Sequence, residues 1–249
     1  MARTRQGALL TDLQLRQQLG LRAATVRDII KLYPIWDLAD PASYERFVNA
    51  VIVLTQAWAR NSAALAARYY EMFRNIDTGL TWGKAAVIAE PPTAEQIRIA
   101  VAATARAGVY RSLAVGKTVE QARRSGLVQL TGSTSRLVLN GGRDTILENV
   151  ERDPEVIGWI RVSDGDPCAF CAMLLGRGPV YKEESADFEA HDHCACGAEP
   201  FVENSKWPSM NQRLHDQWNE ARASKDKGAD PYTNWRQFYE GRGKYAPEE

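Results

Sequence analysis

The residues with the most chemistry in this chain lie between Cys168 and Cys196. Cys168-Ala-Phe-Cys171 is followed, after nineteen residues, by His191-Asp-His193-Cys194-Ala-Cys196. All four cysteines of the 249 residues fall here, and so do two of the three histidines. Thiolate sulfur and imidazole nitrogen are the donors that suit tetrahedral zinc, and Cys-x-x-Cys lets one tight turn present two of them. Asp164-Gly165-Asp166-Pro167 supplies residues that build such a turn. Cys168 and Cys171 are therefore the first two expected ligands. His191, Cys194 and Cys196 compete for the remaining two places, with His193 in reserve.

Three chemistries fit the stretch. One is a structural zinc site. A second is a pair of disulfides or buried free thiols. The third is a catalytic Cys–His pair, which needs one nucleophile and one base in an open cleft. Six donors packed together read as a closed structural site. No secretory pattern precedes Cys168, so an oxidising compartment is not expected.

The block Gly158-Trp-Ile-Arg-Val-Ser-Asp-Gly-Asp-Pro-Cys-Ala-Phe-Cys-Ala-Met-Leu-Leu-Gly-Arg-Gly, with His191-Asp-His-Cys-Ala-Cys after it, resembles the Mu F-type minor head (head morphogenesis) proteins of tailed bacteriophages. Their pattern is an Asp shortly before Cys-x-x-Cys, then His-x-x-Cys-x-Cys. Asp164, Cys168, Cys171, His191, Cys194 and Cys196 fall on those places. Many relatives carry Arg between the last two cysteines, where this chain has Ala195. The motif covers about residues 156–202, and Ala-Ala-Leu-Ala-Ala-Arg-Tyr-Tyr at 63–70 extends the likeness upstream. The short actinobacteriophage versions, most similar of all, are often labelled capsid maturation proteases.

That resemblance implies a minor capsid protein acting in procapsid assembly near the portal, in contact with portal, major capsid and scaffold proteins. It implies a place in the virion, at the head interior or portal vertex, after synthesis in the bacterial cytoplasm. The alternative it carries is a prohead protease that trims scaffold or capsid protein. The chain shows no Gly-x-Ser-x-Gly elbow and no His-Glu-x-x-His, and its histidine bases are His191, His193 and His215. A metal hydrolase would draw on Glu183, Glu184 or Glu189 near the cysteines. The reading leans away from an enzyme.

The elements that must position the cluster follow from periodicity. Apolar content of 45% suffices for a packed core, and no apolar run is long enough to span a bilayer. Thirty-one basic residues balance thirty-one acidic ones, so DNA contact is not indicated by overall charge. Residues 8–32 read as a helix with Leu13, Leu19, Val26, Ile29 and Ile30 inward, weakened or kinked at Gly20 and stopped by Tyr33-Pro34. Asp40-Pro41 starts a long second helix. Its stripe is Tyr44, Val48, Val51, Thr55, Trp58, Ser62, Leu65, Tyr69, Met72 and Ile76, an ordinary bundle core. Residues 77–93 read as a connection and a hinge. Thr93-x-x-Gln96 and Thr118-x-x-Gln121 are capping boxes for two more helices. The latter is expected to break at Gly126, Gly132 and the Ser/Thr cluster 131–135, with a turn at Asn140-Gly-Gly and a short helix at 143–151.

After Asp153-Pro154 the pattern changes. Val156-Ile-Gly-Trp-Ile-Arg-Val reads as a strand leading into the cysteine turn, and Pro179-Val-Tyr as a short partner. So little apolar area needs a staple or a dock, and Trp159, Phe170, Leu174 and Phe188 are the docking candidates. Leu214, Trp218 and Ala221 give one amphipathic helix. Residues from Ser224 to Pro231 read as a linker. Trp235, Phe238 and Tyr239 mark a final helical patch that docks, preferably on its own chain. The expectation is a mainly α protein: a long-helix bundle over 1–151, a small zinc-ribbon-like β segment over 152–203, and a polar tail with short helices over 204–249.

Overall fold

A computed structural model describes residues 4–79, 83–163, 165–182, 188–203, 205–223 and 230–241. It has the expected mainly α architecture. Helices α1 (Arg5–Leu32), α2 (Pro41–Thr78), α3 (Ala94–Val101), α4 (Ala107–Ala114) and α5 (Val119–Arg152) form the bundle. Strand β1 (Val156–Val162), helix α6 (Ala169–Gly176) and strands β2 (Pro179–Tyr181) and β3 (Gly197–Val202) follow, then α7 (Ser209–Ala223) and α8 (Pro231–Gly241).

Local chemistry explains the helix starts. The Asp40 carboxylate accepts from the Ala42 N–H, with Pro41 in the first turn of α2. Thr93 and Thr118 each close a full capping box with Gln96 and Gln121. A π-helical turn at Ala102–Arg106 joins α3 to α4. Along α2 the inward face holds Val48, Val51, Thr55, Ser62 and Tyr69 as read, while Phe47, Ala59, Ala63, Ala66, Tyr70 and Phe73 complete it. Met72 turns out to solvent, and Trp58, Leu65 and Ile76 are only half-buried.

Four expectations are corrected. Helix α1 runs unbroken through Gly20, and its buried face is largely polar: Thr11, Gln14, Gln18 and Thr25 go in beside Leu15 and Ile29, while Leu13 and Ile30 face out. The reason is partners. Thr11 bonds the Tyr69 hydroxyl at 2.8 Å and the buried Glu199 carboxylate of β3, and Gln18 exchanges bonds with Ser62.

Helix α5 is one 34-residue helix, without the turn at Asn140-Gly-Gly or a separate helix at 143–151. Its glycines are contact points. A Cβ on Gly141 would sit 2.5 Å from the Ala59 carbonyl oxygen, and one on Gly126 would sit 2.7 Å from that of Ala105. Packing against α2 and α4 outweighs glycine's poor helix propensity.

Residues 83–93 are a strap, not a hinge. Asn149 bonds both the N–H and the carbonyl of Val87, at 2.9 and 2.8 Å, and Thr145 accepts from the Ala89 N–H at 3.1 Å. Finally, the sheet has a third strand: the order is β2-β1-β3, antiparallel throughout, with Trp159 opposite Val180 and Pro200. Pro200 is tolerated because β3 is an edge.

The sheet docks on the bundle. Trp159, Phe188, Val156, Ala198 and Val202 share a core with Tyr69, Tyr70, Phe73, Ile146 and Val150. Beneath it, Arg74 and Asp153 form a buried ion pair at 3.0 Å, and the Tyr70 hydroxyl also donates to Asp153. The tail docks on its own chain. The Trp235 indole N–H donates to the Ala169 carbonyl at 2.7 Å, and the Tyr239 hydroxyl donates to that of Pro167 at 2.9 Å. The linker read from Ser224 lies mostly outside the described residues.

Candidate metal centre

Strand β1 delivers the chain to the first two cysteines, but through a helix start rather than a tight turn. Cys168 is the N-cap of α6, and its sulfur accepts from the Cys171 N–H at 3.5 Å. The second donor group sits on the loop before β3. Two clusters of three result among the described residues: Cys168, Cys171 and His191, and Cys171, Cys194 and Cys196. Cys171 belongs to both. All five residues singled out in the sequence therefore meet. His193 joins neither cluster; it has a positive φ of 66° and lays its ring against Gly132 of α5. Asp164, Glu183 and Glu184 lie outside the described residues, and Glu189 instead lines a groove beside Trp159 and Arg177.

Within each trio the distances approach those around a tetrahedral ion, but among the described residues no four donors lie within 4.8 Å of one another, so an ion would have to draw the two trios together. Zinc-like bond lengths of about 2.3 Å to sulfur and about 2.0 Å to nitrogen put neighbouring donors roughly 3.5–3.8 Å apart. Cys171 Sγ lies 3.6 Å from Cys194 Sγ and 3.4 Å from His191 Nε2. Cys168 Sγ lies 3.0 Å from the same nitrogen, so an ion would spread that pair slightly. The imidazole is in the right tautomer. Its Nδ1 lies 2.6 Å from the Asp192 carbonyl, which only accepts, so Nδ1 carries the proton and neutral Nε2 turns its lone pair to the sulfurs. Asp192 is itself held by Arg136 at 2.8 Å.

The charge around the thiols also fits. Arg143 of α5 is buried, with 3% of its surface exposed, and donates to the carbonyls of Cys196 and Cys194 at 2.9 and 3.0 Å and to Asn140 at 2.8 Å. Burial pushes its pKa down, and the Cys194 and Cys196 thiolates oppose that. A buried cation bonded only to neutral groups calls for negative charge nearby. Thiolates provide it; disulfides would not. Phe188 lies under both Arg143, at 5.0 Å, and the buried Arg161, at 3.8 Å.

The thiols share protons. Cys171 is pushed up as a donor to Cys168, Cys194 and Cys196. Cys168 is pulled down to about 5, first by that bond from Cys171 and further by the Cys171 N–H and His191. Cys194 is pulled down too, by Cys171, Cys196 and Arg143. The His191 pKa is lowered by burial but raised more by its bonds to Asp192 and Cys168, and ends above its usual value.

The site is half open, not closed. Cys171, Cys194 and Cys196 are buried, whereas Cys168 and His191 face a cleft that Arg22, Ser163 and Asp166 also line. Sequence reasoning missed Arg143 and Arg136. They stand 53 and 56 positions from their partners, and an arginine in a helix carries no local mark of a loop it will clamp.

A family model described as VG15 protein matches residues 6–221, most of the chain. The Gene 15 protein of Mycobacterium phage D29 is 42% identical over 62 residues, 23% of this chain and 22% of that protein. The matched stretch thus spans about a fifth of that relative's length. No solved structure matches. The cysteine–histidine cluster, able to hold a metal ion on a scaffold of long helices, belongs to a phage protein of the VG15 family.

Proposed function

We propose that this chain is a minor structural protein of a phage head, of the Mu F type. It acts in procapsid assembly near the portal, with portal, major capsid and scaffold proteins as its partners and the virion as its place. One zinc ion, held by Cys168, Cys171 and two donors of His191, Cys194 and Cys196, is the staple, and it draws together the two trios that share Cys171. The observation that carries the reading is where the donors sit. Cys171, Cys194 and Cys196 are part of the same core as Tyr69, Tyr70 and Phe73 of α2 and Ile146 and Val150 of α5. An ion bound there ties helix α6 to the loop before β3, and the shared core joins that pair to the bundle, which suits a part built to be gripped by others.

A second reading has one observation in its favour. Cys168 is exposed in a cleft with a lowered pKa and His191 Nε2 at 3.0 Å, as a thiol protease requires. Against it, Cys171 competes for the same imidazole at 3.4 Å. Co-expression with the capsid and scaffold proteins separates the two. The structural reading expects uncut capsid, this chain sedimenting with the portal, and about one zinc per chain by elemental analysis. Clipping of capsid or scaffold that needs this chain, and that Cys168→Ala abolishes without changing its melting, would establish the protease instead.

A further inference from the structure

We propose that the α4–α5 hairpin is a docking surface for an acidic, amphipathic protein segment. Charge is the first observation. The chain as a whole is balanced, yet residues 98–136 contain seven basic residues and one acidic residue, Glu120. Most of the seven are engaged. Arg98 pairs with Glu45, Arg136 pairs with Asp192, and Arg106 lies over Tyr44. Arg123 donates to the carbonyls of Trp36 and Tyr33. Three remain exposed with no ion pair among the described residues: Arg111, Lys117 and Arg124.

These three converge. Lys117, Gln121, Arg124, Ser125, Val128 and Gln129 line one shallow groove, and Arg111 joins it through a 2.9 Å bond to Gln129. Gln121, Arg124 and Val128 are spaced by three and four, so they form one stripe along α5. The stripe is rigid beforehand. The Thr118 capping box fixes its start, and Gly126 brings α5 close enough to α4 that a Cβ would strike Val109. A preset surface loses little side-chain and backbone freedom on binding.

Apolar exposure decides the class of partner. Val128 lies in the groove and is 53% exposed, and Val119 and Val115 beside the hairpin turn are 55% and 74% exposed. Phosphate backbone gains nothing from valines, and three free cations are few for a surface that holds nucleic acid by charge alone. A helix or strand with carboxylates on one edge and aliphatic side chains on the other satisfies both features. This inference does not depend on the head-assembly reading, since the groove shares no lining residue with the cysteine cleft.

The test uses the full chain and a fluorescent synthetic helical peptide with Glu on one face and Leu on the other. Anisotropy titrations compare it with a Lys-for-Glu peptide, a Ser-for-Leu peptide and a short duplex DNA. The acidic amphipathic peptide is expected to bind best. Lys117→Glu with Arg124→Glu should weaken it by about tenfold or more, Val128→Ser by a few-fold, and Leu9→Ser, exposed near the start of α1, not at all. Circular dichroism checks that each variant stays folded. Failure of the peptide to bind at about 1 mM overturns the proposal, as does equal binding of the Lys-for-Glu peptide. Tighter binding of duplex DNA, indifferent to Val128→Ser, overturns it in favour of a nucleic-acid surface.

Discussion

Replacing Gly141 by alanine sets helix propensity against packing, and the two predict opposite signs. Propensity alone favours Ala over Gly inside a helix by about 0.8–1 kcal/mol. In this structure the added methyl would lie 2.5 Å from the Ala59 carbonyl oxygen and 3.2 Å from its carbon. Relief needs the α2 and α5 backbones to part by roughly 0.8 Å, since carbon–oxygen contacts relax to about 3.3 Å. Neither side can yield by turning a rotamer, because the obstacle is backbone. Gly142 next to it donates to Ser62 at 3.0 Å, and that bond would stretch as well. Overpacking of this kind costs about 1–3 kcal/mol and sometimes more. After the propensity gain, Gly141→Ala should destabilise by up to about 2 kcal/mol, a fall in Tm of up to about 8 °C for a chain of this size. Gly20→Ala is the control. It is exposed in mid-helix with nothing within 4 Å of an added Cβ, so it should stabilise by about 0.5–1 kcal/mol. Thermal melts and urea titrations of the two variants read the difference. Stabilisation by Gly141→Ala equal to that of Gly20→Ala would refute the close α2–α5 approach.

Three further predictions concern the cluster and the tail. Arg143→Met removes the donors that hold the carbonyls of Cys194 and Cys196 and should weaken zinc binding by about 10–100-fold, read by competition with a chromogenic chelator. Acid should release the ion. The His191 pKa stands above 6.5 and Cys168 near 5, and an ion displaces the proton from each, so stability from the metal falls as pH drops from 7.5 towards 5, followed by dye-detected zinc release and melting. Unchanged zinc content at pH 5 would remove His191 from the ligand set. Trp235→Ala empties a fully buried site and breaks the bond to Ala169, at about 3–5 kcal/mol, so limited proteolysis should cut the tail first while the bundle persists.

The parts of the fold that were legible are those written in local chemistry. Asp40-Pro41, the two Thr-x-x-Gln boxes and the alternating 156–162 strand each need only neighbours in sequence. The five donors were legible because their side chains have few other uses at that spacing. The hidden parts depend on residues far away. The glycines of α5 look like breakers until Ala59 and Ala105 are beside them. Thr11 and Gln18 look like a solvent face until Tyr69, Glu199 and Ser62 arrive. Strand β3 was missed because Glu199-Pro200 argues against a strand, and only an edge position with a buried partner for Glu199 reconciles them.

The bond between Thr11 and Glu199 has a consequence for synthesis. Its two ends are 188 residues apart, so α1 leaves the ribosome long before its last partner is made. At roughly 5–20 residues per second, Thr11 waits about 10–40 s for Glu199, although Ser62 reaches Gln18 and Tyr69 reaches Thr11 well before that. A polar inner face is an advantage in that interval. An apolar one would present a sticky stripe to every other nascent chain nearby, whereas this one tolerates water until its partners emerge, those of α2 first and Glu199 of β3 last.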